Sequence, residues 1–142
     1  MNFTRKKVEK FGLQSQKLIS QIKAKEILRK NGIVVNEKNK NCLFTHSKKE
    51  SLKHFVVKAI LFKILREKGR NVGSEIEIEN GIVDLIDLDN LIAYEIENGI
   101  SKRRIEEKLK NYKVVKDVFF INCKKVPNDL EKAENYLRKI VV

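Results

Sequence analysis

One stretch of the chain, residues 71–101, contains no Lys or Arg, and it constrains the fold more than any other feature. This acidic segment holds eight carboxylates: Glu75, Glu77, Glu79, Asp84, Asp87, Asp89, Glu95 and Glu97. The chain has 31 basic and 19 acidic residues, so the acidic segment carries −8 and the remainder carries +20. This separation of charge predicts a cation site that faces a polyanion.

The acidic segment also predicts three antiparallel strands. In EIEI and VDLID, apolar residues, many of them β-branched, alternate or nearly alternate with carboxylates, which is typical of strands. Asn80-Gly81 is the predicted first turn, because a type I′ turn needs positive φ at both positions. Asp89-Asn90 is the predicted second turn.

These turns set a register that brings carboxylates together. Glu77 is expected opposite Asp84, and Asp84 opposite Glu95, with Glu75 and Glu97 on the same face. The opposite face is apolar and comprises Ile76, Ile78, Val83, Leu85, Tyr94 and Ile96. Like charges abreast destabilise a sheet, so a divalent cation, Mg²⁺ or Mn²⁺, is expected between them. The alternative is a merely solvated face of a meander.

Length and charge narrow the class of protein. A chain of 142 residues is expected to form one domain, and a net charge of +12 predicts a nucleic acid partner, with an anionic membrane surface as the second choice. No apolar run approaches 18 residues and no signal peptide is recognisable, so we expect a cytoplasmic protein without a membrane partner. Two distant cysteines, Cys42 and Cys123, support neither a zinc site nor a disulfide framework.

Residues 1–46 are expected to form a basic helical extension packed on a core that spans residues 47–142. The helix begins near Thr4 and stops at Asn31-Gly32. Its basic side is either a DNA-backbone-binding arm or a solvated helix face. Residues 33–44 are expected to hold one or two short strands around a polar loop.

The clearest helix starts near Ser47, a predicted N-cap with Glu50 completing a capping box, and ends at Gly69. It is apolar over more than one stripe, so we expect it to be largely buried. His54 and Lys58 share one of its faces. The alternative to a functional role is, for His54, a core or boundary histidine with its hydrogen bonds made inside the protein. For Lys58 it is a lysine whose charge reaches the surface.

A second basic helix follows Ser101, and then come an apolar strand over 117–123 and a helix over 129–140. After the N-terminal helix, the predicted order is α-βββ-α-β-α. The predicted fold class is therefore α/β, with a mixed sheet flanked by helices and an extra N-terminal basic helix.

This order and its motifs resemble the PD-(D/E)XK nuclease superfamily over residues 47–124. Asp84, followed after ten residues by Glu95-Ile96-Glu97, looks like its metal-binding signature. Together with His54-x3-Lys58, Glu75 and Gly81-x-x-Asp84, the pattern is similar to the CoiA-like nuclease subgroup. The resemblance implies a restriction-endonuclease-like core and a metal-dependent DNA endonuclease, structure-specific or resolvase-like. Such an enzyme would act as a homodimer.

The resemblance also implies roles for residues. The catalytic set is Asp84, Glu95, Glu97, Lys58 and His54; the metal set is Asp84, Glu95, Glu77 and Glu75; the DNA-binding set is Lys102, Arg103, Arg104, Lys108 and Lys53. One departure is Glu97, where the family usually has lysine. Lys58 is the first candidate to replace that lysine and Lys108 the second. The alternatives are an inactive nuclease-fold protein that binds DNA or assembles with a partner, and an unrelated basic α/β binding module.

Overall fold

The computed structural model describes residues 22–33, 35, 38–45, 49–78 and 81–142. After a first helix α1 at 22–30, the elements run α2 Leu52–Glu67, β1 Val72–Ile78, β2 Gly81–Asp87, β3 Ile92–Glu97, α3 Lys102–Leu109, β4 Asp117–Asn122, a 3₁₀ turn Cys123–Lys125 and α4 Leu130–Arg138. The predicted order of helices and strands is confirmed, and so is the α/β class.

The four strands form one mixed sheet in the order β1-β2-β3-β4. The first three strands are antiparallel neighbours, whereas β4 runs parallel to β3. Parallel neighbours need a long crossover connection, and α3 lies within the one that joins β3 to β4. The prediction of a mixed sheet flanked by helices is therefore confirmed.

Helices cover the sheet on both faces, so two apolar clusters form. The first joins the sheet to α2 and α4, and its largest members include Leu61, Ile64, Leu85, Tyr94, Ile121 and Leu137. The second joins the sheet to α1 and to the segment after α3, and includes Ala24, Leu28, Val83, Ile86, Ala93 and Tyr112. The acidic segment thus lies in the middle layer, and both of its faces are packed.

Helix α2 is anchored at both ends by caps. Its N-cap is Ser51, whose hydroxyl accepts a hydrogen bond from the His54 amide at 3.1 Å, so the helix begins later than predicted. Ser47 lies outside the described residues. Gly69 ends the helix with φ of +75°, as predicted, a value that glycine adopts at little cost. No helix in the part of the chain that the structure describes is long and apolar enough to cross a membrane.

Helix α1 ends where the sequence predicts. Gly32 has φ of +76°, and the Ile33 amide donates to the Leu28 carbonyl at 2.9 Å, which closes the last turn. Arg29 and Lys30 are exposed. The predicted start at Thr4 and the basic residues before position 22 lie outside the described residues.

The segment 38–45 covers the edge of β1 without forming a strand. The Asn41 amide donates to the Val72 carbonyl and the Asn41 side chain accepts from the Val72 amide, both at 2.8 Å. The Phe44 amide donates to the Ser74 hydroxyl at 2.8 Å. The short strands predicted for 33–44 do not occur among the described residues of this range. Hydrogen bonds that involve polar side chains take the place of a backbone ladder with β1.

Candidate active site

The hairpin β1–β2 has a register two residues away from the predicted one. Glu77 pairs with Ile82, and Ile78 pairs with Gly81, so the prediction that Glu77 lies opposite Asp84 is wrong. Positions 79–80 lie outside the described residues, and the observed difference of two is the one that a turn predicted one residue too late produces. In the same register, the position opposite Asp84 belongs to Glu75.

Beside the carboxylates, the side chains of this hairpin switch from one face of the sheet to the other. Val83 and Leu85 lie two residues apart on β2 but pack into different apolar clusters. Glu75 has φ of +51°, a left-handed backbone that a non-glycine residue rarely adopts. The single apolar face predicted for the acidic segment is therefore split between both sides of the sheet.

Asp84 and Glu95 meet where strands β2 and β3 separate. The predicted register of this second hairpin is confirmed by the pair Leu85–Tyr94, which is the last in the ladder. Beyond it, the Asp84 amide donates to Glu95 Oε1 at 3.1 Å, and the Ile96 amide donates to Asp84 Oδ2 at 2.8 Å. Carboxylate oxygens thus accept the hydrogen bonds that backbone carbonyls accept in a regular ladder. This brings the carboxyl groups of Asp84 and Glu95 next to each other.

Both of these carboxyl groups are shielded from water. Asp84 is 8% exposed and Glu95 is 3% exposed. Burial, followed by repulsion from Asp84, raises the pKa of Glu95 to about 7, while a hydrogen bond from Tyr112 and the charge of Lys108 act in the opposite direction. Two like charges held this close without water favour a bound cation or proton.

His54 connects this pair to helix α2. Its Nδ1 is in hydrogen-bond contact with Glu50 Oε2, and its Nε2 lies 3.6 Å from Asp84 Oδ2. The carboxylate of Asp84 is the largest cause that raises the pKa of His54, and Glu50 adds to it. The side chain is 16% exposed, so His54 sits at the boundary of the core beside a carboxylate.

Lys58 is completely buried beside two more carboxylates. Its Nζ lies 2.9 and 3.2 Å from the two oxygens of Glu50 and 2.7 Å from Glu75 Oε1. The alternative of a lysine that reaches the surface is therefore wrong, because paired carboxylates satisfy the charge inside the protein. Glu75, Lys58, Glu50, His54 and Asp84 form one continuous polar network.

Helix α3 brings basic side chains to the other side of the carboxylates. Lys108 Nζ contacts Glu97 Oε1 and lies 3.5 Å from Glu95 Oε2. Arg104 Nη2 lies 3.5 Å from Glu97 Oε2. Glu97, at 5% exposure, is thus paired with two cations, and Lys108 is the lysine that lies beside Glu95.

The other predicted DNA-binding residues lie in two places. Lys102 and Arg103 are exposed on α3, where Arg103 pairs with Glu107 at 3.3 Å. Lys53 lies on α2, in a groove of about 200 Å³ between α2 and α4. The basic surface beside the carboxylates is therefore formed by α3.

The remaining carboxylates of the acidic segment have different surroundings. Asp87, fully buried, accepts hydrogen bonds from Arg70 at 2.6 Å and from the amides of Asp89 and Asn90, so it stabilises the second turn. Glu77 is exposed in the wall of a cleft of about 480 Å³ along β1, next to Glu75. Glu75, Asp84, Glu95 and Glu97 contact the cationic side chains of α2 and α3.

Two residues of the site were not predicted for it. The sequence predicts Glu50 only as part of a helix cap, although Glu50-x3-His54-x3-Lys58 has the four-residue spacing of one helical turn. Tyr112, 8% exposed, is absent from the sequence-based site, yet it donates to Glu95. The spacing of Glu50 is a signal that the sequence contains, whereas the contact of Tyr112 depends on the fold.

The donor set for a metal is small. No group of three or more His, Cys, Asp or Glu side chains suited to a metal ion occurs in the described ranges. Asp84 and Glu95 remain as a carboxylate pair, which matches the one or two carboxylates that usually hold Mg²⁺.

Comparison with protein-family models, curated proteins and solved structures finds no significant match for this chain.

Proposed function

We propose that this protein is a metal-dependent DNA endonuclease with a restriction-endonuclease-like core. One observation carries the proposal: Asp84 and Glu95 are buried side by side where two strands separate, with a lysine from α3 beside them. The sheet order and the helix on either side of the meander support the resemblance to PD-(D/E)XK nucleases.

The donor chemistry fits a divalent cation. The pKa of Glu95 is raised to about 7 by burial and by Asp84, so an ion between the two groups would relieve the repulsion. When bound, such an ion lowers the pKa of a coordinated water and stabilises negative charge on the attacked phosphate. Asp84 and Glu95 would hold it, and their backbone-anchored positions would limit its movement.

Lys108 is the lysine that we assign to the reaction. Its ammonium group lies between Glu95 and Glu97 at the open side of the site, and its side chain is 30% exposed. There it can orient a water molecule or a phosphate oxygen. Lys58, in contrast, is buried between Glu50 and Glu75, so its role is to hold these carboxylates in place.

The exposed basic residues of α3 would bind the DNA backbone. Lys102, Arg103 and Arg104 follow the β3 strand that carries Glu95 and Glu97, so phosphate contacts there would bring the duplex to the carboxylates. Positive charge is needed at this place because the carboxylates alone would repel DNA.

A cleavage assay tests the proposal. Linear, branched and single-stranded DNA would be incubated with Mg²⁺ or Mn²⁺, and we expect cleavage that Asp84→Asn and Glu95→Gln abolish. Glu131→Gln, an exposed change of equal charge on α4, is the matched control and should cut normally. Cleavage that persists in Asp84→Asn would overturn the assignment of the site.

A second candidate is an inactive nuclease-fold protein that binds DNA or assembles with a partner. It is favoured by Glu97, which stands at the usual lysine position, and by the engagement of Lys108 with that carboxylate. This candidate predicts DNA binding without cleavage of any tested substrate under either metal, so the same assay separates the two.

A further inference from the structure

Glu97 binds two cationic side chains of α3 from inside the protein. Its side chain is only 6% exposed, Oε1 contacts Lys108 Nζ, and Oε2 lies 3.5 Å from Arg104 Nη2. The two cations are more open to solvent, since the Lys108 side chain is 30% exposed and the Arg104 side chain is 63% exposed. A buried carboxylate therefore neutralises two cations that solvent can reach.

Lys108 and Arg104 can also bind an anion that arrives from solution. They lie four residues apart on α3, so they share one face of this helix. Lysine and arginine bind carboxylates and phosphates through the same kind of charge-assisted hydrogen bond. The carboxylate of Glu97 and a phosphate group of DNA would therefore compete for the same two positive charges.

A second ion pair on α3 has a different environment. Arg103 Nε lies 3.3 Å from Glu107 Oε1, but the two side chains are 91% and 62% exposed. Water screens such a pair, so its contribution to stability is small. A phosphate can replace Glu107 at little cost, whereas replacement of Glu97 breaks ion pairs that are partly shielded from water.

We propose that Lys108 and Arg104 form a binding site for one phosphate group of the DNA backbone, and that Glu97 occupies this site in the free protein as an internal competitor. DNA must then make other contacts with the basic surface of α3 before its phosphate replaces Glu97. The exchange takes place beside Glu95, two residues earlier on β3. The inference rests on the proposed function and names the residue that limits the affinity for DNA.

DNA binding in the absence of metal tests this competition. With a chelator present to prevent cleavage, the fluorescence anisotropy of a labelled duplex measures the affinity. We expect Glu97→Gln, which preserves the shape of the side chain, to bind the duplex about 10-fold more tightly than wild type. Glu107→Gln removes the same charge from the exposed pair on α3, so it is the matched control and should change the affinity by less than about 2-fold.

Two further results separate competition from a general change in charge. In wild type, the displaced Glu97 takes up a cation from solution, which offsets one counterion released from the DNA. The plot of log affinity against log salt should therefore be steeper by about 1 in Glu97→Gln than in wild type. On a Lys108→Met background, Glu97→Gln should improve the affinity by a smaller factor, because Glu97 then competes only at Arg104.

A measurement on the unmodified chain does not depend on a variant that must fold. When the duplex is added with a chelator present, the carboxyl-carbon NMR resonance of Glu97 should move, because its two cations change partner. The resonance of Glu67, which pairs with Arg138 between α2 and α4, should stay in place. A Glu97 resonance that does not move at saturating duplex would overturn the inference.

The outcomes also separate this inference from the nuclease proposal. Equal affinities of wild type and Glu97→Gln, or an equal gain in Glu107→Gln, would overturn the competition, and metal-dependent cleavage by the same protein would leave the nuclease standing. Tighter binding by Glu97→Gln in a protein that cuts no DNA would leave the competition standing and overturn the nuclease. Absence of DNA binding in every variant would overturn both.

Discussion

The backbone amide of Asp84 donates a hydrogen bond to Oε1 of Glu95 at 3.1 Å, one position beyond the last ladder pair between β2 and β3. A contact that normally joins two backbones here joins a backbone to a carboxylate. It holds two acidic side chains in a space that excludes water, which raises the pKa of Glu95 to about 7.

This pair should make the stability of the metal-free protein depend on pH. The pKa of Glu95 in the folded chain lies above its ordinary value of 4.5, so the stabilising effect of its proton is complete below 4.5 and is lost as the pH rises through 7. We expect the free energy of unfolding to fall over this window by at most about 3 kcal/mol relative to Glu95→Gln. Denaturant titrations with a chelator present measure it.

Because other groups titrate in the same range, the comparison with Glu95→Gln decides the outcome. If the free energy of unfolding varies with pH in the same way in wild type and in Glu95→Gln, Glu95 has the same pKa in the folded and unfolded chains. That outcome would contradict the prediction. In Asp84→Asn, the pH-dependent loss of stability should occur at lower pH than in wild type, since the neighbouring negative charge is removed.

Lys58 should be important for stability. Its ammonium is fully buried between Glu50 and Glu75, so Lys58→Met leaves two shielded carboxylates without their shared cation. We expect a loss of about 3 to 5 kcal/mol in the free energy of unfolding, measured by chemical denaturation. The triple variant with Glu50→Gln and Glu75→Gln should recover much of this loss.

The matched control for this prediction is Lys63→Met, on the same helix. Lys63 is 67% exposed and pairs with Glu67 at 3.3 Å in water, so its removal should change stability little. A similar loss in both variants would mean that helix propensity, and not the buried ion pair, explains the effect.

Lys108→Met should reduce cleavage while the fold remains stable. Lys108 is partly exposed and contacts Glu95 and Glu97, so its loss removes a positive charge from the reacting side of the site. We expect a fall in cleavage rate of about 100-fold or more. We also expect a further rise in the pKa of Glu95, because Lys108 lowers it, and this is measurable by carboxyl-carbon NMR.

Lys110→Met, an exposed change two residues away, controls for the general loss of positive charge and should cut nearly as fast as wild type. If Lys108→Met cuts normally while a folded Lys58 variant is inactive, the catalytic lysine is Lys58.

The salt dependence of DNA binding should arise in part from the basic residues of α3. On an Asp84→Asn background that prevents cleavage, we expect Lys102→Ala or Arg103→Ala to weaken binding to duplexes of any sequence. Each change should reduce the slope of log affinity against log salt by about 1. Fluorescence anisotropy over a range of salt concentrations measures the slope, with Lys139→Ala on the α4 C-terminus as the control. Equal slopes for all variants would exclude α3 from the interface.

Much of the fold follows from local sequence signals. The order of helices and strands, the stops at Gly32 and Gly69, and the register around the second turn are set by residues close together in the chain. The first hairpin differs because a turn moved by one residue shifts every cross-strand pair by two and leaves the alternation of residue types along each strand unchanged. Periodicity therefore cannot distinguish the two registers.

The sequence by itself determined that an acidic segment on three strands would meet basic helices, because charge and alternation are properties of neighbouring residues. Only the tertiary structure decided which partners meet. Lys58 on α2 reaches Glu75 on β1, and Tyr112 and Lys108 reach Glu95 across the chain. The left-handed backbone of Glu75 and the separation of the strands beside Asp84 occur where helices pack on both faces of the sheet, and no local pattern encodes that packing.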